Sequence, residues 1–328
     1  MAKELHELNE LEERVILVAV EMDERSSRSA MDTDACLDEL EELVKTAGGT
    51  AVARSVQKRE RIHPGHYLGT GKIEELKAML LAYDATGIVC DDELSPAQLR
   101  NLEQMLGTKV MDRTIVILDI FAARALSGEG KIQVELAQLK YRAARLVGLR
   151  DSLSRLGGGV GTRGPGEKKL ETDRRYIKER IAELNKDAQE IRTHRELLRA
   201  QRSKKGTPVI SLVGYTNAGK STILNRLSDA GVLAEDKLFA TLDTTTRKIE
   251  LPGGSEVFLT DTVGFIQKLP HHLVQAFRAT LEELQYADIL LHVVDASDAN
   301  RAEHIEVVYD TLRSLGCEDT PVITVFNK

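Results

Sequence analysis

The residues best suited to phosphate chemistry form a run of eight that starts at Gly214. An apolar stretch, PVISLV (208–213), precedes the run, and the helical pattern TILNRL follows it. Glycines in such a turn let backbone N–H groups face phosphate oxygens, and the helix amino terminus adds partial positive charge. In this spacing Lys220 reaches the β- and γ-phosphates, and the Ser221 hydroxyl ligates Mg²⁺. The nucleotide-binding residues predicted here are Gly214, Tyr215, Thr216, Asn217, Ala218, Gly219, Lys220, Ser221 and Thr222.

A second chemical signal lies about 40 residues downstream, where the strand FLTDTVG (258–264) ends in Asp261-x-x-Gly264. The carboxylate of Asp261 is expected to hold the magnesium ion through water, and the Gly264 amide is expected to sense the γ-phosphate. Thr262 and Val263 lie between them and belong to the same expected nucleotide contact. After a P-loop, this spacing is typical of a nucleotide hydrolase.

The segment between these two motifs, FATLDTTTRK (239–248), is rich in threonine. A switch loop needs one threonine that coordinates Mg²⁺ while the γ-phosphate is present and lets go after hydrolysis. Spacing alone does not choose among Thr241, Thr244, Thr245 and Thr246.

Two further strands suggest which base is bound. DILLHVVDAS (288–297) contains Asp295, and PVITVFNK (321–328) ends in Asn327 and Lys328. In GTPases an N-K-x-D motif follows this last strand, and its aspartate contacts the guanine edge. The sequence stops two residues before that position, so we expect GTP and GDP as ligands but weak binding by this chain.

The residue after Gly264 bears on the rate of hydrolysis. Ras-like GTPases place there a glutamine that orients the attacking water. Phe265 stands at this position and has no group that could do so. We therefore predict slow hydrolysis that depends on a partner.

The elements before the P-loop predict two more domains. Residues 1–126 alternate strands and helices: RVILVAVEM, a helix over 33–47, GTAVARSV, IEELKAMLLAY, TGIVC and SPAQLRNLEQML, closed by KVMDRT and IVILDIFAARA. This alternation predicts a small parallel α/β domain. The run GTGK (69–72) inside it is too short for a P-loop.

Residues 127–206 have helical periodicity on both sides of a glycine-rich segment, LGGGVGTRGPGEKK (156–169). The apolar seam predicts an antiparallel helical hairpin with this segment as a loop at its tip. The seam consists of Ile132, Leu136, Leu139, Ala143 and Leu146 on one helix and Leu170, Ile177, Ile181, Leu184, Ala188, Ile191 and Leu198 on the other. Residues 207–328 are then an incomplete P-loop GTPase domain, and the whole chain is α/β.

Charge is distributed unevenly. Residues 128–206 carry 20 Lys and Arg against 11 Asp and Glu, whereas the whole chain has 45 against 52. A basic segment in an acidic protein favours an anionic partner, because clustered cations release counterions from phosphates. The alternative is an ordinary solvated helical surface.

Composition narrows the class of protein. Cys36, Cys90 and Cys317 are scattered without C-x-x-C spacing, which argues against a disulfide framework or a zinc site and fits a reducing cytoplasm. The sequence has no run of about 18 apolar residues, so we expect no membrane span. The amino terminus lacks the apolar stretch of a secretory signal. We expect a cytoplasmic monomer.

Together, GYTNAGKSTILNRL, FATLDTTTR, DTVGFI, YLGTGKIEEL, VELAQLKYRAARL and GGGVGTRGPGE resemble the HflX family of GTPases over essentially the whole chain. The resemblance implies GTP hydrolysis with Mg²⁺ and binding to the large ribosomal subunit, with ribosome splitting under stress. It implies that Thr241 is the magnesium-binding switch threonine and that a hydrophobic residue after DTVG is usual. Family members continue beyond N-K-x-D into a further small domain.

The same resemblance assigns further residues. It implies that the switch-loop residues Phe239, Ala240, Thr241, Leu242 and Asp243 bind nucleotide, and that the catalytic group comprises Lys220, Thr241 and Gly264. It also implies that the hairpin tip reaches ribosomal RNA. The residues themselves agree, because a basic tip with Arg163, Lys168 and Lys169 suits contact with the RNA backbone.

Other functions fit parts of the sequence. One is a GTPase of ribosome assembly, and another is a GTPase whose hairpin is a coiled-coil docking surface for a non-ribosomal partner. A third is an NTPase that acts on RNA with activity in the N-terminal domain. The basic hairpin with its glycine-rich tip favours the ribosomal function.

Overall fold

The structure is a computed structural model that describes residues 13–22, 32–156, 165–203, 206–228, 238–269, 273 and 281–328. These residues form two compact units. One consists mainly of residues before Ile117, and the other runs from Ile117 to Lys328 with a few residues from earlier in the chain. Each unit is described by itself.

The first unit contains a four-stranded, entirely parallel sheet in the order β2-β1-β3-β4. Strand β1 is buried over most of its length because its β-branched and apolar residues face helices on both sides of the sheet. The elements are β1 (Arg14–Met22), α1 (Thr33–Thr46), β2 (Thr50–Arg59), α2 (Thr70–Ala82), β3 (Gly87–Cys90), α3 (Pro96–Leu106) and β4 (Lys109–Asp112). Helix α4 (Arg113–Arg124) begins in this unit and belongs to the second unit from Ile117 onwards. The predicted parallel α/β fold is confirmed. The segment IVILD lies within helix α4.

The predicted hairpin is confirmed as α5 (Gly128–Leu156) and α6 (Pro165–Ser203), which together we call the arm. Its seam buries Leu136, Leu139, Ile177 and Leu184, with Ile132, Ala143, Leu146, Ile181 and Ala188 packed against them. Ion pairs fix the antiparallel register, because Arg180 meets Glu135 and Arg195 meets Glu129. At about 1.5 Å per residue, α5 with its 29 residues is roughly 43 Å long.

The loop at the tip differs from the prediction of a non-helical segment through residue 169. Helix α6 already begins at Pro165, where the fixed φ of proline suits a first helical position. The backbone at Lys168 and Lys169 is therefore helical. Arg163 lies outside the described residues.

The second unit also contains a five-stranded sheet in the order β6-β7-β5-β8-β9, parallel except for β6. Its elements are β5 (Val209–Val213), α7 (Lys220–Ser228), β6 (Thr245–Glu250), β7 (Glu256–Asp261), a 3₁₀ helix (Glu282–Tyr286), β8 (Ile289–Asp295), α8 (Arg301–Ser314) and β9 (Val322–Asn327). Strands β5, β7, β8 and β9 all end at one edge of this sheet. Open α/β sheets bind ligands beyond that edge, so the topology gathers the predicted motifs.

Candidate nucleotide-binding site

The predicted P-loop joins β5 to α7 in a turn that requires unusual backbone angles. Gly214 and Gly219 have φ values of 152° and 94°, and Asn217 has a φ of 60°. A side chain on Gly214 would collide with the Val293 carbonyl oxygen, and one on Gly219 would collide with the Asn327 amide. Gly214 is therefore required by close packing against the backbone of β8, and both glycines are required by the turn itself.

Lys220 is 6% exposed and lies inside the turn. Its Nζ donates to the carbonyl oxygens of Gly214 and Tyr215 at 3.1 and 2.8 Å. Burial lowers the pKa of Lys220 to about 8, although the nearby Asp261 carboxylate opposes that shift. The ammonium group is thus held by weak neutral acceptors, which a phosphate oxygen can replace.

Three oxygen atoms from three separate motifs meet beside Lys220. Ser221 Oγ donates to Asp261 Oδ2 at 2.6 Å. Because a hydroxyl has only one proton, the 2.7 Å contact between Ser221 Oγ and Thr241 Oγ1 has Thr241 as its donor. Two hydroxyls and one carboxylate are the hard oxygen ligands that Mg²⁺ prefers.

Of the four threonines that the pattern left open, Thr241 is the one beside Ser221. Thr246 instead pairs with Thr260 at 3.0 Å across β6 and β7, and Thr245 also lies in β6. Thr222 of α7 is exposed.

The segment from Asp261 to Gly264 is anchored to the P-loop by its backbone. Phe265 N donates to Gly214 O at 3.1 Å, and Thr216 N donates to Phe265 O at 2.7 Å. A Cβ on Gly264 would lie 3.1 Å from Lys220 Nζ and closer still to Thr216 Cα. Thr262, which is buried, donates through its hydroxyl to Leu212 O at 2.6 Å.

Phe265 itself is 1% exposed and packs in the apolar cluster behind the loop with Val213, Leu284 and Leu290. Its side chain therefore stabilises the fold under the motif. This placement agrees with the expectation that Phe265 does not orient water.

The switch loop, residues 239–243, is held by contacts of several of its residues. Phe239 N donates to Thr216 Oγ1 at 2.8 Å, and its ring lies edge-on to Phe121. Ala240 is partly exposed and Leu242 is buried. The Asp243 carboxylate binds Leu126 and Ser127 at the start of α5, a partner that the sequence did not reveal.

The carboxyl end of β9 closes the site on its other side. Asn327 Nδ2 donates to Ala218 O of the P-loop at 2.9 Å, and Lys328 Nζ lies 3.0 Å from Asp295 Oδ2. Asn327 is therefore next to the P-loop, and Lys328 lies beside the end of β8. Tyr215 is stacked on His304 of α8, with ring centroids 3.7 Å apart.

Comparison with known proteins identifies the family. Family models described as GTP-binding GTPase N-terminal, GTP-binding GTPase Middle Region and 50S ribosome-binding GTPase match residues 34–122, 124–202 and 209–328. A GTPase HflX from Lacrimispora saccharolytica is 67% identical over 99% of this chain and 76% of its own length. The GTPase HflX of Escherichia coli K12 is 48% identical over 89% of this chain and 68% of its own length. The chain belongs to the HflX family of GTPases.

Membership in the HflX family shows that the chain is an enzyme that binds guanine nucleotide and hydrolyses GTP. The fold has a solved counterpart in a crystal structure titled SsGBP and GDP complex, with a TM-score of 0.52. That structure is 24% identical and matches 96% of this chain and 82% of its own, which supports the fold. Within the described part of this HflX-family chain, no helix has the length and apolar character to cross a membrane.

Proposed function

We propose that this HflX-family chain is a magnesium-dependent GTP switch that acts on the large ribosomal subunit, where the family separates or rescues ribosomes under stress. The observation that carries the proposal is the meeting of Ser221, Thr241 and Asp261 beside Lys220. One of these residues comes from the P-loop, one from the switch loop and one from the strand that leads to Gly264. A ligand held by all three residues would therefore link the P-loop, the switch loop and the segment that leads to Gly264.

The residues fit a magnesium ion in their chemistry. Ser221 and Thr241 would supply hydroxyl oxygens and Asp261 a carboxylate, directly or through water, while Lys220 would bind the β- and γ-phosphates. The ion supplies positive charge that neutralises the phosphates. The remaining nucleotide contacts are assigned to the P-loop amides, to the switch loop 239–243, to the segment 261–264 and to Asn327 and Lys328.

Hydrolysis without a partner is expected to be slow in this proposal. The side chain of Phe265 is buried in the apolar cluster and cannot orient water, which is the role of glutamine at this position in Ras-like proteins. A fast basal rate that Phe265→Ala abolishes would contradict this part of the proposal.

The arm is the proposed contact with ribosomal RNA. It carries the basic excess of residues 128–206, and α6 exposes Arg175, Lys178, Lys186 and Arg192. Phosphate contacts from such side chains give affinity that does not depend on sequence. We assign Arg163, Lys168 and Lys169 at the tip to this contact. The description 50S ribosome-binding GTPase, which belongs to the model that matches residues 209–328, supports the same partner.

Sedimentation of the chain with purified large subunits tests this proposal. We expect more binding with a non-hydrolysable GTP analogue than with GDP, and a steep decrease as salt increases. The variant K168E/K169E should weaken binding and reduce the salt slope by about two, because each phosphate contact contributes about one. The control K58E/K77E makes the same charge change on exposed lysines of the first unit and should bind as the unchanged chain does.

One observation favours a second function, in which the arm docks on a protein. Tyr176 and Leu197 on α6 are 65% and 61% exposed, and a protein docked on this helix would bury both side chains. Binding that is insensitive to salt and to K168E/K169E, but is lost in Y176A/L197A, would favour this function over RNA contact.

Under the proposal the chain acts as a monomer in the cytoplasm, with an α/β domain over 1–126, the arm and linker over 127–206 and the GTPase domain from 207. Light scattering of the free chain, and of the chain bound to the subunit, tests the monomeric state.

A further inference from the structure

Asp243 connects the switch loop to the base of the arm. Its Oδ2 accepts from the backbone N–H groups of Leu126 and Ser127 at 2.9 and 2.8 Å, and its Oδ1 accepts from the Ser127 hydroxyl. The partners are more than 110 residues away in sequence. One carboxylate thus receives three hydrogen bonds from the two residues that precede α5.

The contact is built around the amino terminus of α5. Ser127 Oγ accepts from Gly130 N at 2.8 Å, which is the bond that an N-cap serine makes to the third residue of a helix. The partial positive charge of a helix amino terminus stabilises a carboxylate placed there. Asp243 therefore interacts favourably with the end of the helix as well as with individual donors.

Gly130 is required by this arrangement. A Cβ on Gly130 would overlap Asp243 Oδ1 and lie 3.1 Å from Ser127 Oγ. At Gly128, two residues earlier, a Cβ would meet nothing within 4 Å. At the start of α5, the Asp243 carboxylate therefore fills the space beside Gly130, whereas the space beside Gly128 is open.

The opposite end of the loop is fixed to the segment before the arm. The Phe239 ring lies edge-on to Phe121 of α4, with centroids 4.7 Å apart, and Phe239 is 2% exposed. Thr241 lies between these two anchors, and its hydroxyl contacts Ser221. Two residues of extended chain span only about 7 Å, so Thr241 cannot move far while both anchors hold.

From this geometry we propose that Asp243 is a positioning residue that keeps Thr241 beside Ser221 by tying the switch loop to the base of the arm. The inference rests on the proposed switch function and deepens it. A triphosphate that needs Thr241 favours the closed contact at Leu126 and Ser127, and that contact favours the triphosphate, since coupling between two sites is reciprocal. The stability of the contact at the start of α5 therefore depends on which nucleotide is bound. GDP does not need Thr241 and does not gain from the contact.

The test compares the affinities of two fluorescent ligands, mant-GMPPNP and mant-GDP. The 328-residue chain is titrated with each ligand in the presence of Mg²⁺. Asp243→Ala should weaken mant-GMPPNP binding about fivefold, the usual size of a lost helix cap, and leave mant-GDP binding unchanged. Gly130→Ala should have the same selective effect from the side of the arm, because its methyl group displaces the carboxylate. This second variant covers the case in which Asp243→Ala folds poorly.

Two matched controls should retain both affinities. Gly128→Ala adds the same methyl group where there is room for it. Asp310→Ala removes an exposed carboxylate of α8 that pairs with Arg313 of the same helix.

Hydrogen exchange provides the readout that a purely structural role would not change. The peptide that contains residues 126–131 should exchange more slowly with GMPPNP than with GDP in the unchanged chain, and this difference should disappear in Asp243→Ala. Equal loss of both nucleotides, no loss of either, or a persistent exchange difference would overturn the inference. Nucleotide binding that is absent from the unchanged chain, or indifferent to Lys220→Ala, would instead refute the switch function on which the inference rests.

Discussion

The two sheets of this chain share parallel strands and flanking helices, but they use charge at their carboxyl edges in opposite ways. In the first sheet Arg113 follows β4 and is 1% exposed, with Asp91 at 2.9 Å and Glu39 also paired to it. Asp112 accepts backbone N–H groups of Leu94 and Ile115. In the second sheet, the acceptors of Lys220 among the described residues are two backbone carbonyl oxygens.

A parallel α/β fold alone does not make a nucleotide site. The cation of the first sheet is neutralised by carboxylates that hold the fold together, so it has little to offer a phosphate. The cation of the second sheet is buried beside replaceable acceptors and beside hydroxyl and carboxylate ligands suited to a metal ion. Function at these edges depends on whether the charges already have strong partners.

The largest effect is expected from removing the buried cation at the carboxyl edge of the first sheet. Arg113→Met should reduce the free energy of unfolding of the first unit by about 3–5 kcal/mol, because it leaves buried carboxylates without their counterion. Urea unfolding followed by hydrogen exchange of β1 and β3 measures this loss. Affinity for GTP analogues should be unchanged, and a matching loss of nucleotide binding would show that the two edges do not differ in function.

Lys220→Ala should reduce nucleotide affinity and leave stability nearly unchanged, the opposite of Arg113→Met. We expect nucleotide affinity to decrease on the order of 100-fold, since hydrogen bonds to charged groups are the strong ones, with little change in unfolding of the second unit. Fluorescent GDP titration measures it. Lys72→Ala, in the GTGK run of the first unit where Lys72 pairs with Glu75, is the control and should bind normally.

Nucleotide affinity should depend on pH through Lys220. The folded, ligand-free chain has a pKa of about 8 at Lys220, and the charged form is the one that binds phosphate. Below that pH the charge is present. Above it, binding must take up a proton, and affinity should decrease by up to about tenfold per pH unit. Calorimetry in buffers of different ionisation enthalpy measures the proton uptake, and Lys220→Arg, which stays charged, should remove it.

The smallest effects are expected from exposed ion pairs, which should be alike in the two sheets. Arg54, paired with Asp38 and Glu41 in the first unit, and Lys248, paired with Glu256 across β6 and β7, are both well exposed. Replacing either with alanine should cost no more than about 1 kcal/mol of unfolding free energy. A larger loss at one of them would show that the sheets differ in more than their edges.

Much of the second unit could be predicted because its signals are local. The P-loop, Asp261 and Gly264 lie at fixed distances along the chain, and the arm shows its seam as a helical repeat. The partner of Asp243 could not be predicted, since the bond joins residues far apart in sequence and Asp243 stood within a motif expected to contact nucleotide. The glycines of residues 156–169 predict a loop through residue 169, but α6 begins at Pro165, because a proline suits the first position of a helix.

A crystal structure of the chain with GMPPNP and Mn²⁺, with anomalous scattering recorded for the metal, tests the central claim most directly. We predict one manganese peak within ligand distance, direct or through one water, of Ser221, Thr241 and Asp261, with the γ-phosphate against Lys220 and the Gly264 amide. A peak and nucleotide at the edge of the first sheet, or a nucleotide bound away from these residues, would contradict the account.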